Sequence, residues 1–201
     1  GNDILIGGAG RDILRGGLGN GDSMDGGAGS EDMLDFSDGT ATAGLGITFT
    51  LDQSAGSHSI PNATGNLGNN DTYQNIEGVI GTAFADTLTG DNTGNDILRG
   101  GAGNDTLNGR GGSGDLLDLS DATAGFTINF VQGAPAILPT VTAAGIGTDT
   151  YSNFEGIIGS GFADTINGST GNDFLRGGGG NDVINGGDGN DTITRGLGAD
   201  T

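Results

Sequence analysis

The sequence predicts an all-β solenoid of short, stacked strands, and three features support this prediction. A nine-residue unit recurs along the chain, glycine supplies 46 of the 201 residues, and proline supplies only three. Self-similarity at a short, fixed period indicates an architecture in which one structural unit stacks on the next. A unit this small cannot bury its apolar face alone, so neighbouring units must share one continuous core.

The charge and the low apolar content indicate that this core is not sufficient by itself. Leu, Ile, Val and Phe make up about 22% of the residues, close to the roughly 20% below which highly charged chains stay disordered. The chain holds 26 acidic residues against six Arg and no Lys, for a formal net charge of −20. Such a chain repels itself, and it must also order many glycines, which lose the most conformational freedom on folding. We therefore expect bound cations to be part of the folded structure.

The same composition excludes several classes of partner and reaction. Nucleic acids and anionic lipid surfaces are bound mainly through Lys and Arg, which are scarce here. No apolar run approaches the ~18 residues of a membrane span, and no signal peptide is recognisable at the start of the chain. The sequence has no Cys, no Lys, no GxSxG and only one histidine, His58, so thiol, Walker A, nucleophile-elbow and HExxH chemistry are all missing. We therefore predict that the chain is not an enzyme.

The repeated unit combines a glycine-rich turn, an acid at the sixth place and a large apolar residue at the eighth. It is clearest over residues 7–15, 100–108, 177–185 and 186–194, which read GGAGRDILR, GGAGNDTLN, GGGGNDVIN and GGDGNDTIT. Twelve aspartates occupy the sixth place, and each is followed two residues later by Leu, Ile or Met. These acids are Asp3, Asp12, Asp22, Asp32, Asp86, Asp96, Asp105, Asp115, Asp164, Asp173, Asp182 and Asp191.

Each half of the unit has a physical role. Three residues centred on one apolar side chain form a very short strand, in which only the middle side chain points inward. Glycines at the first, second and fourth places permit positive φ and close backbone approach. Such a turn directs carbonyl oxygens into the loop beside the carboxylate. Oxygen-only ligands suit a hard cation, and Ca²⁺ accepts a flexible set of six to eight of them.

The motif GGxGxDxUx resembles the RTX (repeats-in-toxin) nonapeptide, a calcium-binding repeat. The resemblance implies a right-handed parallel β-roll with two nonapeptides per coil and calcium held between stacked turns on the same side. It also implies that the ligands are the sixth-place carboxylates and carbonyls from the first four places of each turn. Glu77, Glu155 and Asp200 join the twelve aspartates on this pattern. The turn glycines that it selects are Gly8, Gly10, Gly101, Gly103, Gly178, Gly180, Gly187 and Gly189.

The chain divides into three repeat blocks and two inserts, expected to form one continuous solenoid. The blocks span residues 1–38, 77–121 and 155–201, and the strand-containing inserts span 39–76 and 122–154. The inserts resemble each other, since DTYQNIEG at 71–78 matches DTYSNFEG at 149–156, an offset of 78. Their LDFS-type linkers are similar to those of serralysin-type C-terminal modules. Segments 45–51 and 126–131 alternate as strands do, so we expect them to extend the sheets of the roll.

Pairing the turns on each side gives on the order of nine calcium ions, whose charge would nearly cancel the −20 of the chain. Asp149 also follows a G-x-[GN]-x-D spacing, and Asp71 holds the matching place in the first insert, so both are weaker candidates as ligands. Loops 54–65 and 133–144 have no predicted role, although the second is apolar enough to contact another subunit or to cover an end of the roll.

The sequence leaves two functions open for an elongated, calcium-folded roll. Extracellular calcium modules bind with Kd of roughly 10⁻⁴–10⁻³ M, and the resemblance implies type I secretion followed by folding outside the cell. The first function is a structural or assembly role in a surface layer, adhesin or matrix, with other copies of the chain or a cell-surface glycan as partners. The alternative is a C-terminal secretion and folding module of a hydrolase, epimerase or toxin.

Overall fold

The computed structural model of the protein describes residues 1–17, 21–38, 46–60, 70–133 and 139–201. These residues form twenty β-strands and no helix. Most neighbouring strands pair in parallel, as a chain that winds in coils requires. The predicted all-β, parallel β-roll is therefore confirmed. Among the described residues, no helix is long and apolar enough to cross a membrane.

The coils place strands alternately on two faces of the roll. Face A is a single eight-stranded parallel sheet. Its strands, in spatial order, are β2 (Ile13–Leu14), β4 (Met33–Asp35), β8 (Gly78–Ile80), β10 (Ile97–Arg99), β12 (Leu116–Asp118), β16 (Gly156–Ile158), β18 (Phe174–Arg176) and β20 (Thr192–Thr194).

Face B contains twelve strands but is divided into three sheets. The first sheet has the order β1 (Ile4–Gly10), β3 (Ser23–Gly29), β7 (Thr72–Gln74), β6 (His58–Ser59). The second has the order β14 (Thr140–Ala143), β15 (Gly147–Ser152), β11 (Thr106–Asn108), β9 (Thr87–Thr89), β5 (Thr48–Thr50). The third has the order β13 (Thr127–Asn129), β17 (Thr165–Asn167), β19 (Val183–Asn185).

The core lies between the two faces and is built from the eighth-place residues of the repeats. Val79, Leu98 and Leu117 pair in register along face A, and each is completely buried. Of the twelve apolar residues that the repeat pattern selects, nine are buried, and Leu5 and Ile184 pack partly against the same cluster. Only Ile193, in the last strand of face A, is exposed, at 42%.

The inserts supply two kinds of strand to face B. In the first insert, β5 pairs forward with β9 and so begins the second sheet. The chain then returns through β6, which pairs antiparallel with β7, while β7 pairs with β3 and completes the first sheet. The second insert repeats this path, since β13 pairs with β17, and β14 forms an antiparallel pair with β15, which pairs with β11.

This insertion bends the solenoid towards face A. Each insert adds three strands to face B and none to face A, so at about 4.8 Å per strand face B is longer. The bend brings Arg176, the last residue of β18, within hydrogen-bonding distance of Glu31 before β4, with Nη1 to Oε2 at 3.0 Å. Four strands separate β4 from β18 in the sheet, roughly 24 Å along a flat sheet. We call the outer surface of face A the concave face.

The tips of both inserts are described only in part. The described residues leave out 61–65 of loop 54–65. They also leave out 134–138 of loop 133–144, which include the apolar residues Pro135, Ile137 and Leu138. Val141 of the same loop is buried in the core of the roll.

Candidate metal sites

The sixth-place acids form two ladders, one along each side of the roll. A carboxylate oxygen of one acid accepts a hydrogen bond from the backbone N–H of the acid one coil earlier. Asp105 accepts from Asp86 at 2.8 Å, and Asp182 accepts from Asp164 at 2.9 Å. All fifteen predicted acids take part as donor, acceptor or both. The remaining pairs, donor first, are Asp3–Asp22, Asp12–Asp32, Asp32–Glu77, Asp96–Asp115, Asp115–Glu155, Asp173–Asp191 and Asp182–Asp200.

Two further acids belong to the ladders although they stand in the inserts. Asp71 accepts from the N–H groups of Gly21 and Asp22, both at 2.8 Å, and Asp149 accepts from Asp105 at 2.9 Å. Each is followed two residues later by a buried tyrosine, Tyr73 or Tyr151. The sequence therefore contained the repeat pattern at both acids, because a tyrosine can fill the inward place that Leu or Ile fills in the other repeats.

The ladder on face B is interrupted where each new sheet begins. Ile47 and Phe126 occupy the place of the acid, and both are buried. Their N–H groups still donate to the next acid, Asp86 at 2.6 Å and Asp164 at 3.0 Å. These turns have no carboxylate of their own, so they cannot supply an anionic ligand.

All eight predicted turn glycines have positive φ, between 88° and 146°. The turn at Gly178 and Gly180 shows why glycine is needed. A Cβ at Gly178 would lie 2.1 Å from the carbonyl oxygen of Ser160, and one at Gly180 would lie 2.7 Å from that of Phe162. Stacked turns therefore approach so closely that the carbonyl oxygens of one turn lie against the backbone of the next. The other six show the same sign of φ: Gly8, Gly10, Gly101, Gly103, Gly187 and Gly189.

Five ladder acids carry a carboxylate oxygen that is buried and has no hydrogen-bond partner among the described residues. In each case it is Oδ2, the oxygen that the ladder does not use, and the second residue of the turn has positive φ. We call these the open turns. They contain Asp12, Asp22, Asp105, Asp115 and Asp182, with Gly8, Gly17, Gly101, Arg110 and Gly178 at the second place.

Four other turns satisfy the same oxygen internally. Their second residue is Thr82, Asp91, Ser160 or Ser169, and its N–H donates to Oδ2 of the acid in its own turn. The distances are 2.6 Å to Asp86, 2.9 Å to Asp96, 2.7 Å to Asp164 and 2.6 Å to Asp173. We call these the capped turns. The conformation of one residue thus decides whether an N–H faces the carboxylate.

Burial without a counter-charge disfavours the ionised form of three ladder acids, Asp105, Asp115 and Asp149. Burial raises the pKa of Asp115 to about 7, and the nearby charges of Glu155 and Asp91 add to the effect. Burial likewise raises the pKa of Asp149 to about 7, with the charge of Asp105 contributing. Burial raises the pKa of Asp105 to about 6; the hydrogen bond from the Asp86 N–H opposes this rise, and the charge of Asp86 adds to it. These carboxylates need either a proton or a cation.

The donor set fits calcium. An unpartnered buried carboxylate oxygen costs free energy unless a charge-balancing group meets it, and only oxygen ligands surround it. Within the described residues, no three side chains of His, Cys, Asp or Glu converge on one point. The open turns therefore suit a cation held by one or two carboxylates and several backbone carbonyls, an arrangement that calcium tolerates and zinc does not.

Comparison with known families agrees with this geometry. The sequence matches the family described as RTX calcium-binding nonapeptide repeat over residues 1–31, 80–116, 158–193 and 167–201, which together cover more than half of the chain. No curated protein sequence matches it. The repeats of this family bind calcium, and they are typical of secreted bacterial proteins. The chain belongs to the RTX calcium-binding nonapeptide repeat family.

Proposed function

We propose that the chain is an extracellular folding module whose open turns take up calcium and thereby stabilise the roll. The five buried, unpartnered Oδ2 atoms of Asp12, Asp22, Asp105, Asp115 and Asp182 carry this proposal. Each is an anionic ligand to which no donor of the described part of the chain is hydrogen-bonded. The first ions enter these turns, and the remaining ladder acids complete their coordination or form weaker sites.

The mechanism is thermodynamic linkage between ion binding and folding. Ions bind the folded turns and not the dispersed chain, so each occupied site adds folding free energy. A site that is filled at 100 times its Kd adds about 2.7 kcal/mol. Since the whole stability of a domain is only about 5–15 kcal/mol, a few such sites decide whether the roll forms. Calcium supplies the charge, and the chain supplies carboxylates and carbonyls fixed by the ladder.

The role that fits this roll is structural, in a secreted or cell-surface protein that joins or presents other units. Two inserts with the same strand path produce the bend, so the larger duplicated unit encodes a defined shape. Calcium would give that shape only outside the cell, where sites with Kd of roughly 10⁻⁴–10⁻³ M are filled. A type I route, in which the chain leaves the cell unfolded, suits this dependence. The approximate total of nine ions stays a prediction.

Small-angle X-ray scattering during a calcium titration tests the proposal, with magnesium at equal ionic strength as the control. In EDTA the radius of gyration should lie near ~48 Å, the value for an unfolded chain of this length, and it should fall sharply with calcium and not with magnesium. A rise in forward scattering at the same step supports the assembly role, whereas a monomeric folded roll favours an appended module. A compact chain in EDTA contradicts calcium-dependent folding.

A further inference from the structure

The concave face contains an apolar floor that lies outside the core of the roll. Met33, Ile97 and Leu116 point outward from β4, β10 and β12, yet they are at most 5% exposed and form a cluster separate from the core. Buried apolar side chains on the outer surface of a sheet are unusual, because this surface of a solenoid ordinarily faces water. The bend of the roll shields them.

Glycines make this floor continuous by leaving space between its members. A Cβ at Gly156 would lie 2.7 Å from both Leu116 Cδ2 and Phe174 Cβ, so these two side chains approach each other across β16. Gly78 has the same role between Met33 and Ile97. Phe174 ends the floor and is 37% exposed, which leaves part of its ring in contact with solvent.

Polar groups line the rim of this floor and turn it into a groove of about 470 Å³. Asn95 and Ser113, both exposed, stand on one side, and Thr194 stands beside Arg176 on the other. The Arg176–Glu31 ion pair borders the groove. Its volume falls within the about 300–1,000 Å³ typical of small-molecule sites, and it has their composition, an apolar surface with a few hydrogen-bonding groups.

The concave face is close to electrically neutral, although the chain carries −20. Four of the six arginines lie here and pair with acids on the same face. The pairs are Arg11–Glu31, Arg15–Asp35, Arg99–Asp118 and Arg176–Glu31. Glu77, which also lines the groove, accepts the N–H of Asp32 at 3.0 Å. A polyanion is repelled by the rest of the molecule. Of the two carboxylates that line the groove, Glu31 is paired with arginines, and Glu77 belongs to the acid ladder.

We propose that this groove binds a neutral oligosaccharide. A pyranose ring has apolar C–H faces that can pack on Phe174 and Leu116, and hydroxyl edges that can exchange hydrogen bonds with Asn95, Ser113 and Thr194. An uncharged, amphipathic ligand is the class that a neutral, amphipathic groove accommodates without leaving a charge unpaired. A protein partner needs about 800 Å² of contact on each side, which suits a broad surface better than this narrow groove.

The test uses the calcium-saturated chain and isothermal titration with cellotetraose, maltotetraose and tetra-N-acetylchitotetraose, with trigalacturonate as the anionic comparison. At least one neutral sugar should bind, and Phe174→Thr should weaken its affinity about tenfold, which is about 1.4 kcal/mol. This variant preserves the sheet because Thr192 already holds the corresponding position in β20. Asn95→Ala should weaken the same sugar. Val183→Thr, at a 48% exposed position on the opposite face, is the matched control and should not change binding.

Three outcomes overturn the proposal. One is that no neutral sugar binds at ~10 mM, about ten times the concentration at which a millimolar site is half filled, while circular dichroism shows a folded roll. Another is that trigalacturonate binds more tightly than every neutral sugar. The third is self-association that Phe174→Thr abolishes, because the groove would then be an interface between copies. Calcium-dependent folding is measured in the same samples, so its failure is distinguishable from failure to bind sugar.

Discussion

Two turns stacked on the same side of the roll show how this protein separates positions that need calcium from positions that do not. Asp164 and Asp182 lie one coil apart and hold equivalent places in the ladder, accepting from Phe126 at 3.0 Å and from Asp164 at 2.9 Å. Their second oxygens differ. Oδ2 of Asp164 accepts from Ser160 N at 2.7 Å and Oγ at 3.0 Å, whereas Oδ2 of Asp182 is buried without a partner.

The cause of this difference is the residue four places before each acid. Ser160 directs its N–H towards the carboxylate, while Gly178 has φ of 95° and does not. A capped turn therefore gives the second carboxylate oxygen a hydrogen-bond donor of its own. An open turn leaves that oxygen free to bind an ion. A capped turn also follows each point where a new sheet begins on face B, at Asp86 after Ile47 and at Asp164 after Phe126.

We expect the greatest loss of stability from Asp105→Asn in an open turn, and its matched comparison is Asp86→Asn in a capped turn. Both variants keep the oxygen that the ladder uses. In saturating calcium, Asp105→Asn should lose about 2–3 kcal/mol, the contribution of one site, and one ion from the slope of a calcium titration. Asp86→Asn should lose about 1–3 kcal/mol, because its amide then faces the N–H of Thr82, with an unchanged slope. Equal changes of slope in both variants contradict the distinction between the two classes of turn.

A change of pH should have a smaller effect. Raising the pH should destabilise the calcium-free fold and strengthen the binding of calcium. Burial raises the pKa of Asp115 to about 7 in the fold, against about 3.9 when unfolded, so protonation favours the metal-free fold. This stabilisation is complete below about pH 4 and is lost as the pH rises through about 7. Calcium competes with the proton, so raising the pH from 6 to 8 should lower the calcium midpoint about tenfold, or ~1.4 kcal/mol.

Circular dichroism at several pH values measures both effects. The control is the same titration with Asp115→Asn, which removes one titrating group and should flatten the dependence. A calcium midpoint that is independent of pH would show that protons and calcium do not compete for these carboxylates.

Ser160→Gly removes one hydroxyl donor from a capped turn and brings its sequence closer to that of an open turn. The loss of the Oγ hydrogen bonds to Asp164 should cost about 1 kcal/mol at low calcium. At saturation the variant should take up one ion more than the parent chain, which atomic emission of equilibrium-dialysed samples can count. An unchanged ion count with the same loss of stability would mean that capping alone does not determine occupancy.

The smallest effect is expected for Asp188→Asn. This acid lies at the third place of a turn, is exposed and is outside the ladder. The substitution changes the net charge as Asp105→Asn does, so it separates local binding from overall charge. Stability should change by less than about 0.5 kcal/mol, as for most surface substitutions. A loss as large as that of Asp105→Asn would indicate that total charge, and not the turn, governs folding.

Much of the fold was predictable because the repeat is local. The alternation of Asp, a variable residue and a large apolar residue determines which side chain points inward, and Leu98 and Leu117 follow it. The path of the inserts was not predictable, because β5 pairs with a strand almost forty residues later, and no local pattern specifies that choice. The bend depends on this path, so the groove beside Phe174 was also hidden.

The candidate metal sites were likewise predictable in part. The ladder acids could be identified from spacing. Asp71 was predicted only as a weaker candidate, and it would have ranked with the others had Tyr73 been counted as an inward residue. The difference between open and capped turns was also present in the sequence, as Gly against Ser, Thr or Asp at the second place. Arg110 is the exception, since it adopts φ of 68° without being glycine. Its N–H donates to Asn108 Oδ1 at 2.9 Å and not to Asp115, a contact that composition does not reveal.

The distinction between open and capped turns can be tested by a crystal structure of the calcium-loaded chain, with the ions located by anomalous scattering. We expect an ion against Oδ2 of each open-turn acid: Asp12, Asp22, Asp105, Asp115 and Asp182. We also expect the Oδ2 atoms of the capped-turn acids to keep the hydrogen bonds that they accept from N–H groups of their own turns. These acids are Asp86, Asp96, Asp164 and Asp173. Ions bound to the capped oxygens, or open turns without ions at saturating calcium, would contradict this distinction.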